Sequence, residues 1–194
     1  MNVNQLSGLF LTGAAKQYGQ CQSGMAAIEF ALIMPLLLIL FFGVVEGSDA
    51  LSQSRRVSLA VNTLADLTSQ ETDILTSDID DLFDGVEQIV GAGGASMTIR
   101  LISVIPNSDG DPIVHWSRDN SGGAPYAPGN PYTALPASTL LDPGASIIVG
   151  EVDFPYTSKL THFFVSSIDL QESATRWPRR SLRVLLCSSP SNCI

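Results

Sequence analysis

Residues 30–45 read FALIMPLLLILFFGVV, sixteen positions without a charge, and no other feature restricts the chain as much. Extended back to Met25, the run covers the 21 residues 25–45. At about 1.5 Å per residue, a helix of that length spans roughly 31 Å, matching a hydrocarbon core of about 30 Å. A helix buried in a water-soluble domain is rarely apolar on every face over such a length. The stretch therefore predicts a single membrane-spanning helix. Pro35 lies inside it. In water a proline there costs a helix about 3 kcal/mol or more. In a bilayer the chain has no better conformation than a helix, so a kink is tolerated.

Glu29 is the residue that does not fit. Insertion scales put an acid at the centre of a spanning helix at about +2.5 to +3.5 kcal/mol. Two readings stand. Either Glu29 marks the interfacial end of the helix, with the span at 30–48, or a positive group meets it within the membrane plane. A secretory signal peptide fits poorly. Residues 1–24 hold one basic side chain, Lys16, the apolar run exceeds an ordinary h-region, and GVVEGSDALSQSRR after it lacks an A-x-A site.

The rest of the composition narrows the class. A length of 194 residues suits one domain plus an appendage. With 19 acids against 10 bases the net charge is -9, which argues against a nucleic-acid partner, since phosphate binding needs clustered Lys and Arg. A hydrophobic content of 45% excludes disorder throughout. Cys21, Cys187 and Cys193, with His115 and His162, are too dispersed for a zinc site. No G-x-S-x-G, GxGxxG or GxxxxGK[ST] occurs. Both histidines read as structural. The expectation is a protein without catalytic residues, cofactor or metal.

Gly24 is followed by Met25, Ala26, Ala27, Ile28, Glu29 and Phe30. This G-MAAI-EF string resembles a type IV prepilin signal. The longer string GMAAIEFALIMPLLLILFFGVVEGSDAL, with Pro35 six residues after Glu29 and a second acid at Glu46, resembles the TadE-like family of tight-adherence (Flp) pilus pseudopilins over residues 23–66. VGEVDFPYTSKL and the stretch Ile168 to Thr175, ending before RWPRR, also resemble family segments. The resemblance implies a cytoplasmic leader, 1–24, removed by a prepilin peptidase between Gly24 and Met25. It implies a transmembrane helix at 25–45 and a periplasmic α+β pilin-like domain at 46–194. The new α-amine of Met25 on an adjacent subunit would then be the positive partner of Glu29, with Phe30 beside it. The implied protein is a single-pass bacterial inner-membrane pseudopilin. Its partners would be other pilins and pseudopilins, pilus-assembly membrane proteins, the peptidase and the lipid bilayer. The other functional class is an unprocessed single-pass envelope adaptor or sensor. Leader removal would discard Cys21, and an oxidising periplasm would then join Cys187 to Cys193.

Periodicity supplies the expected fold. Ala50, Ser54, Val57, Val61, Leu64 and Thr68 form one helical stripe, so the membrane helix continues as an amphipathic spine to residue 68. Arg55 and Arg56 should face solvent or headgroups. A second helix is expected within 70–91, with Ser77 as N-cap and Ile79, Leu82, Phe83, Val86 and Val90 as its apolar face. Seven acids and no base fall between Glu71 and Glu87, and they read as a solvated face rather than a calcium loop. GAGG at 91–94 should end the helix. Residues 96–105 and 112–117 predict a hairpin turning at Asp109-Gly110. Residues 118–144 read as a long irregular loop, either a contact surface or a mobile segment. Strands are expected at 146–156 and 168–175, a short element at 160–165, and a further strand at 181–187 extending the same sheet. The arginines of RWPRR and Arg183 read as solvated. The predicted fold is α+β, a single N-terminal helix and spine on a small antiparallel sheet. Asp66-Leu67-Thr68-Ser69 does not match the D-x-S-x-S of the metal-binding module in larger TadG-type relatives.

Overall fold

A computed structural model describes residues 22–91, 96–135, 142–157 and 167–194. The chain divides at Gly47 and Ser48 into two units.

The first unit is helical. Helix α1, Gln22–Ser69, carries Pro35 inside it and passes into the second unit. Within the first unit its apolar side chains are exposed on every side: Leu32, Phe41 and Val44 are 76, 61 and 71% accessible. The helix is long and apolar enough to cross a membrane.

The second unit is α+β, as the periodicity predicts. It is built from the rest of α1, β1 (Asp73–Leu75), helix α2 (Thr76–Val90), β2 (Thr98–Pro106), β3 (Pro112–Asp119), β4 (Ile147–Tyr156), β5 (Ile168–Arg176), β6 (Leu185–Ser189) and β7 (Asn192–Cys193). Four strands form an antiparallel sheet in the order β3-β2-β4-β5. One face of it buries the spine stripe: Val57, Val61 and Leu64 pack with Ile79, Phe83, Val86 and Val90 of α2 and with Ile99, Leu101, Trp116, Ile148 and Val152. Gly150 lets the spine approach β4 this closely, because a Cβ there would sit 3.3 Å from Val61 Cγ2 and 3.4 Å from the Val61 carbonyl oxygen. Arg55 and Arg56 are exposed.

Several local expectations change. Ser77 does not cap α2. The helix starts two residues earlier, at Thr76, the cap position falls on Leu75 with no side-chain bond, and the Ser77 hydroxyl turns to Asp78. The preceding residues prefer to extend, because β1 pairs with β6. Gly91 ends α2 at φ 70°, a left-handed conformation that glycine adopts without a Cβ penalty, and Gln53 Nε2 donates to the Val90 carbonyl at 2.8 Å. The 181–187 segment does not extend the main sheet. Its strand, Leu185–Ser189, pairs parallel with β1 and antiparallel with β7 in a separate three-stranded sheet. Trp116 Nε1 fixes this segment by donating to the Val184 carbonyl at 2.9 Å from inside the core. The element expected at 160–165, together with His162, Cys21 and residues 92–94, lies outside the described residues.

Residues 120–135, the described part of the long loop before Asp142, lie over the second face of the sheet. Tyr132 and Leu135 are buried there with Ile102, Val104, Val114, Ile147 and Val149. The loop also closes the β3 edge: Val114 N–H donates to the Asn130 carbonyl at 2.9 Å, Gly129 N–H to Val114 at 2.8 Å and Tyr132 N–H to Pro112 at 2.9 Å.

Candidate functional site: the anchor segment and its acid

Gly24, Met25, Glu29 and Phe30 all lie in the first turns of α1. Met25 and Glu29 are four residues apart and so share one side of the helix. Met25 is 69% and Phe30 62% exposed. Nothing approaches within 4 Å of a Cβ built on Gly24. The Gly24–Met25 peptide is therefore accessible but helical. A peptidase that needs an extended substrate must unwind this turn, and glycine is the residue from which a helix is most easily unwound after proline.

Glu29 has an apolar setting and, among the described residues, no charge partner. The ion pairs among the described residues join Arg100 to Glu151 and Asp153, Arg118 to Asp80, and Arg176 and Arg179 to Asp66. Glu29 is in none of them. Glu46, at the far end of the apolar run, has a carboxylate oxygen, Oε1, buried without a hydrogen bond.

In the second unit Cys187 and Cys193 stand opposite each other across β6 and β7 and are joined by a disulfide, with Cα atoms 4.0 Å apart. Reciprocal bonds between Leu186 and Ile194 extend the hairpin to the end of the chain.

Two polar clusters were not legible as clusters in the sequence. The first is centred on Asp66 near the end of the spine. Arg179 pairs with its carboxylate, Arg176 Nε lies 4.0 Å away and Gln70 Nε2 donates to it at 3.1 Å. Arg176 also donates to Asn62 Oδ1 at 2.7 Å, and Arg179 N–H bonds the Ser69 carbonyl at 2.8 Å. The arginines of RWPRR are thus not all solvated: two tie the C-terminal segment to the spine, and Arg183 Nε donates to the Gly144 carbonyl at 2.6 Å. The acidic 71–87 face is met instead by Arg118, which holds Asp80 through two bonds of 3.0 and 2.9 Å.

The second cluster lies on the outer face of the main sheet. Glu151 accepts from the Tyr132 hydroxyl at 2.6 Å and from the Tyr126 hydroxyl at 2.9 Å. Arg100 stands 3.5 Å from Glu151 and donates to Asp153 at 2.7 Å. Burial, then the bond to Glu151, pushes both phenols above their ordinary value, so both remain hydrogen-bond donors at physiological pH. The residue types gave a signal, since Arg100, Glu151 and Asp153 fall on the polar phase of alternating strands, and the two tyrosines interrupt an otherwise small and polar loop. His115 is half-buried with Nδ1 3.5 Å from the Ser103 hydroxyl, and burial, then the nearby Arg183, lowers its pKa.

Residues 24–66 match the family model described as TadE-like protein. The matched segment runs from the candidate processing glycine, through the anchor, to the Asp66 clamp. No curated protein and no solved structure matches the chain.

Proposed function

From the TadE-like match over residues 24–66, we propose that this chain is a membrane-anchored minor pilin or pseudopilin, a structural component of a tight-adherence (Flp, type IVb) pilus assembly or a related secretion system. Its role is structural rather than catalytic. A prepilin peptidase removes residues 1–24, the span 25–45 remains in the inner membrane, and the domain from residue 46 onward lies in the periplasm. The observation that carries the reading is an acid near the start of an all-round apolar helix that has no charge partner among the described residues. An isolated carboxylate is poorly satisfied in hydrocarbon. An α-amine released at Met25 of a neighbouring subunit is cationic near neutral pH, with a reference pKa of about 7.7–8.0, and relieves that penalty only in the assembly. Partners are other pilins, pseudopilins and pilus-assembly membrane proteins.

The decisive measurement is N-terminal sequencing of the protein isolated from its native membrane. The mature chain should begin at Met25, and replacing Gly24 with a bulky residue should block processing. A membrane-resident chain that keeps residues 1–24 overturns the reading.

A further inference from the structure

The three-stranded sheet β1-β6-β7 carries a covalent bond whose two ends have different surroundings. Cys187 lies on the central strand, is fully buried, and pairs with Leu75 of β1 on one side and with Cys193 on the other. Cys193 lies on the two-residue edge strand at the end of the chain and is exposed. It lines an open groove of about 690 Å3 together with Asp73, Leu182, Arg183, Leu185 and Pro190. The groove holds one half-buried cation. Arg183 Nε donates to the Gly144 carbonyl at 2.6 Å. Arg183 belongs to none of the ion pairs, although all 19 acids of the chain lie among the described residues. Asp73, the groove's anion, accepts from the Thr72 hydroxyl at 2.7 Å.

We propose that the Cys187–Cys193 bridge is a thiol-exchange site, opened from this groove by attack of a dithiol on Cys193 Sγ. Exchange requires the attacking thiolate to touch the sulfur it attacks, and burial leaves only Cys193 within reach. A new bond joins the dithiol to Cys193, the Cys187–Cys193 bond breaks, and its electron pair goes to Cys187 Sγ, which takes a proton. The second thiolate of the dithiol then attacks the dithiol's own sulfur in the mixed disulfide. Cys193 leaves with the electron pair and is protonated. The bridge ends reduced to two thiols, and the dithiol ends oxidised to a disulfide. Leaving-group strength runs the other way, because apolar burial disfavours a thiolate at Cys187. That slows the first step without redirecting it. It also makes Cys187 a slow nucleophile for reclosure, which gives a second thiol time to act and selects a dithiol over a monothiol as the partner. Arg183 favours the incoming negative charge and Asp73 opposes it. The outcome is a released β7 and a freed chain end. The inference goes beyond the pilus reading and does not depend on it.

A monothiol stops the sequence at its first step and shows which sulfur is attacked. The full-length chain carrying Cys21→Ser, in detergent, is exposed briefly to reduced glutathione, an anionic monothiol. It is then quenched with an alkylating agent, and the C-terminal peptide is mapped by fragmentation. Glutathione should be found on Cys193 and the alkyl group on Cys187, at least ten-fold more often than the reverse. Arg183→Gln should slow this exchange at least two-fold, Asp73→Asn should quicken it at least two-fold, and Arg183→Lys should keep the original rate. Dithiothreitol should reduce the bridge completely while the four-stranded sheet keeps its amide protection. Glutathione shared equally between the two cysteines, exchange seen only in denaturant, or a rate indifferent to every groove substitution would each overturn the proposal. None of these outcomes bears on whether the mature chain begins at Met25.

Discussion

At the scale of single residues, the side chains that most constrain the head are polar ones whose partners lie far away in sequence. Tyr132 is the clearest case. Its ring is buried on the second face of the sheet and its hydroxyl donates to Glu151 at 2.6 Å. Replacing it with phenylalanine keeps the apolar contact and removes the donor, so Glu151 retains only Tyr126 and the more distant Arg100. A hydrogen bond to a charged group contributes about 1.5–3 kcal/mol. Tyr132→Phe should cost roughly that much, read as a lowered thermal midpoint of the full chain in detergent. It should also expose the 120–135 loop to protease before the sheet itself unfolds. A midpoint equal to that of the unsubstituted chain would show that the cluster contributes no net stability.

At the scale of elements, the Cys187–Cys193 bridge ties two short strands that could hardly persist alone. β7 has two residues and β6 five, and their sheet meets the rest of the head through β1 and the Trp116–Val184 bond. The disulfide closes a small loop, with a sequence separation of 6. It therefore removes little entropy from the unfolded chain, below the roughly 3 kcal/mol of a 15-residue loop. The double change Cys187→Ser, Cys193→Ser should lower stability by less than that. Its main effect should be faster amide exchange at Leu185–Ser189, while the four-stranded sheet keeps its protection. Non-reducing mass spectrometry of the unsubstituted protein should give a C-terminal peptide two hydrogens lighter than its reduced form. The elements themselves were legible to different degrees, for physical reasons. The spine of α1 and helix α2 announce themselves because each buries one face, which imprints a helical period on the sequence, while β2 to β4 show as short β-branched apolar runs bounded by turn residues and buried on both faces. The parallel β1–β6 pair does not, because three residues, Asp73–Leu75, are too few to show alternation. The loop over Ile102 and Val149 was also hidden. Its anchors Tyr126, Tyr132 and Leu135 follow no period, and their partners lie on another strand. Ser77 failed as a cap for the same kind of reason, since a strand pairing outweighed a local signal. The proposed site residues Gly24 to Phe30 could be singled out because the processing signal they resemble is local and linear, whereas the Asp66 clamp joins residues 113 positions apart.

At the scale of the whole molecule, the proposed function makes one carboxylate serve two different states. In the single chain Glu29 lies on a helix whose neighbouring side chains are apolar and exposed, and no cation among the described residues pairs with it. Membrane insertion tolerates this because the apolar residues of 30–45 far outweigh one acid, and because Glu29 sits near an end of the run, where the penalty is smaller than at the centre. Assembly is another matter. If the amine of a neighbouring Met25 is the partner, the pair forms only when the second subunit is in axial register, so the charge favours subunit addition and also sets the spacing. Glu29→Gln separates the two roles. It removes the charge at nearly constant volume and lowers the cost of insertion, so the variant should fractionate with membranes as the unsubstituted chain does. Its incorporation into pilus complexes, followed by co-purification from solubilised membranes and by surface pilus yield, should fall at least ten-fold. The reverse change tests the same pairing from the other side: blocking leader removal leaves Met25 without a free amine and should reproduce the assembly defect with Glu29 intact. A Gln variant that enters complexes at the normal level would show that the acid is only an interfacial end-marker of the span, the simpler of its two readings.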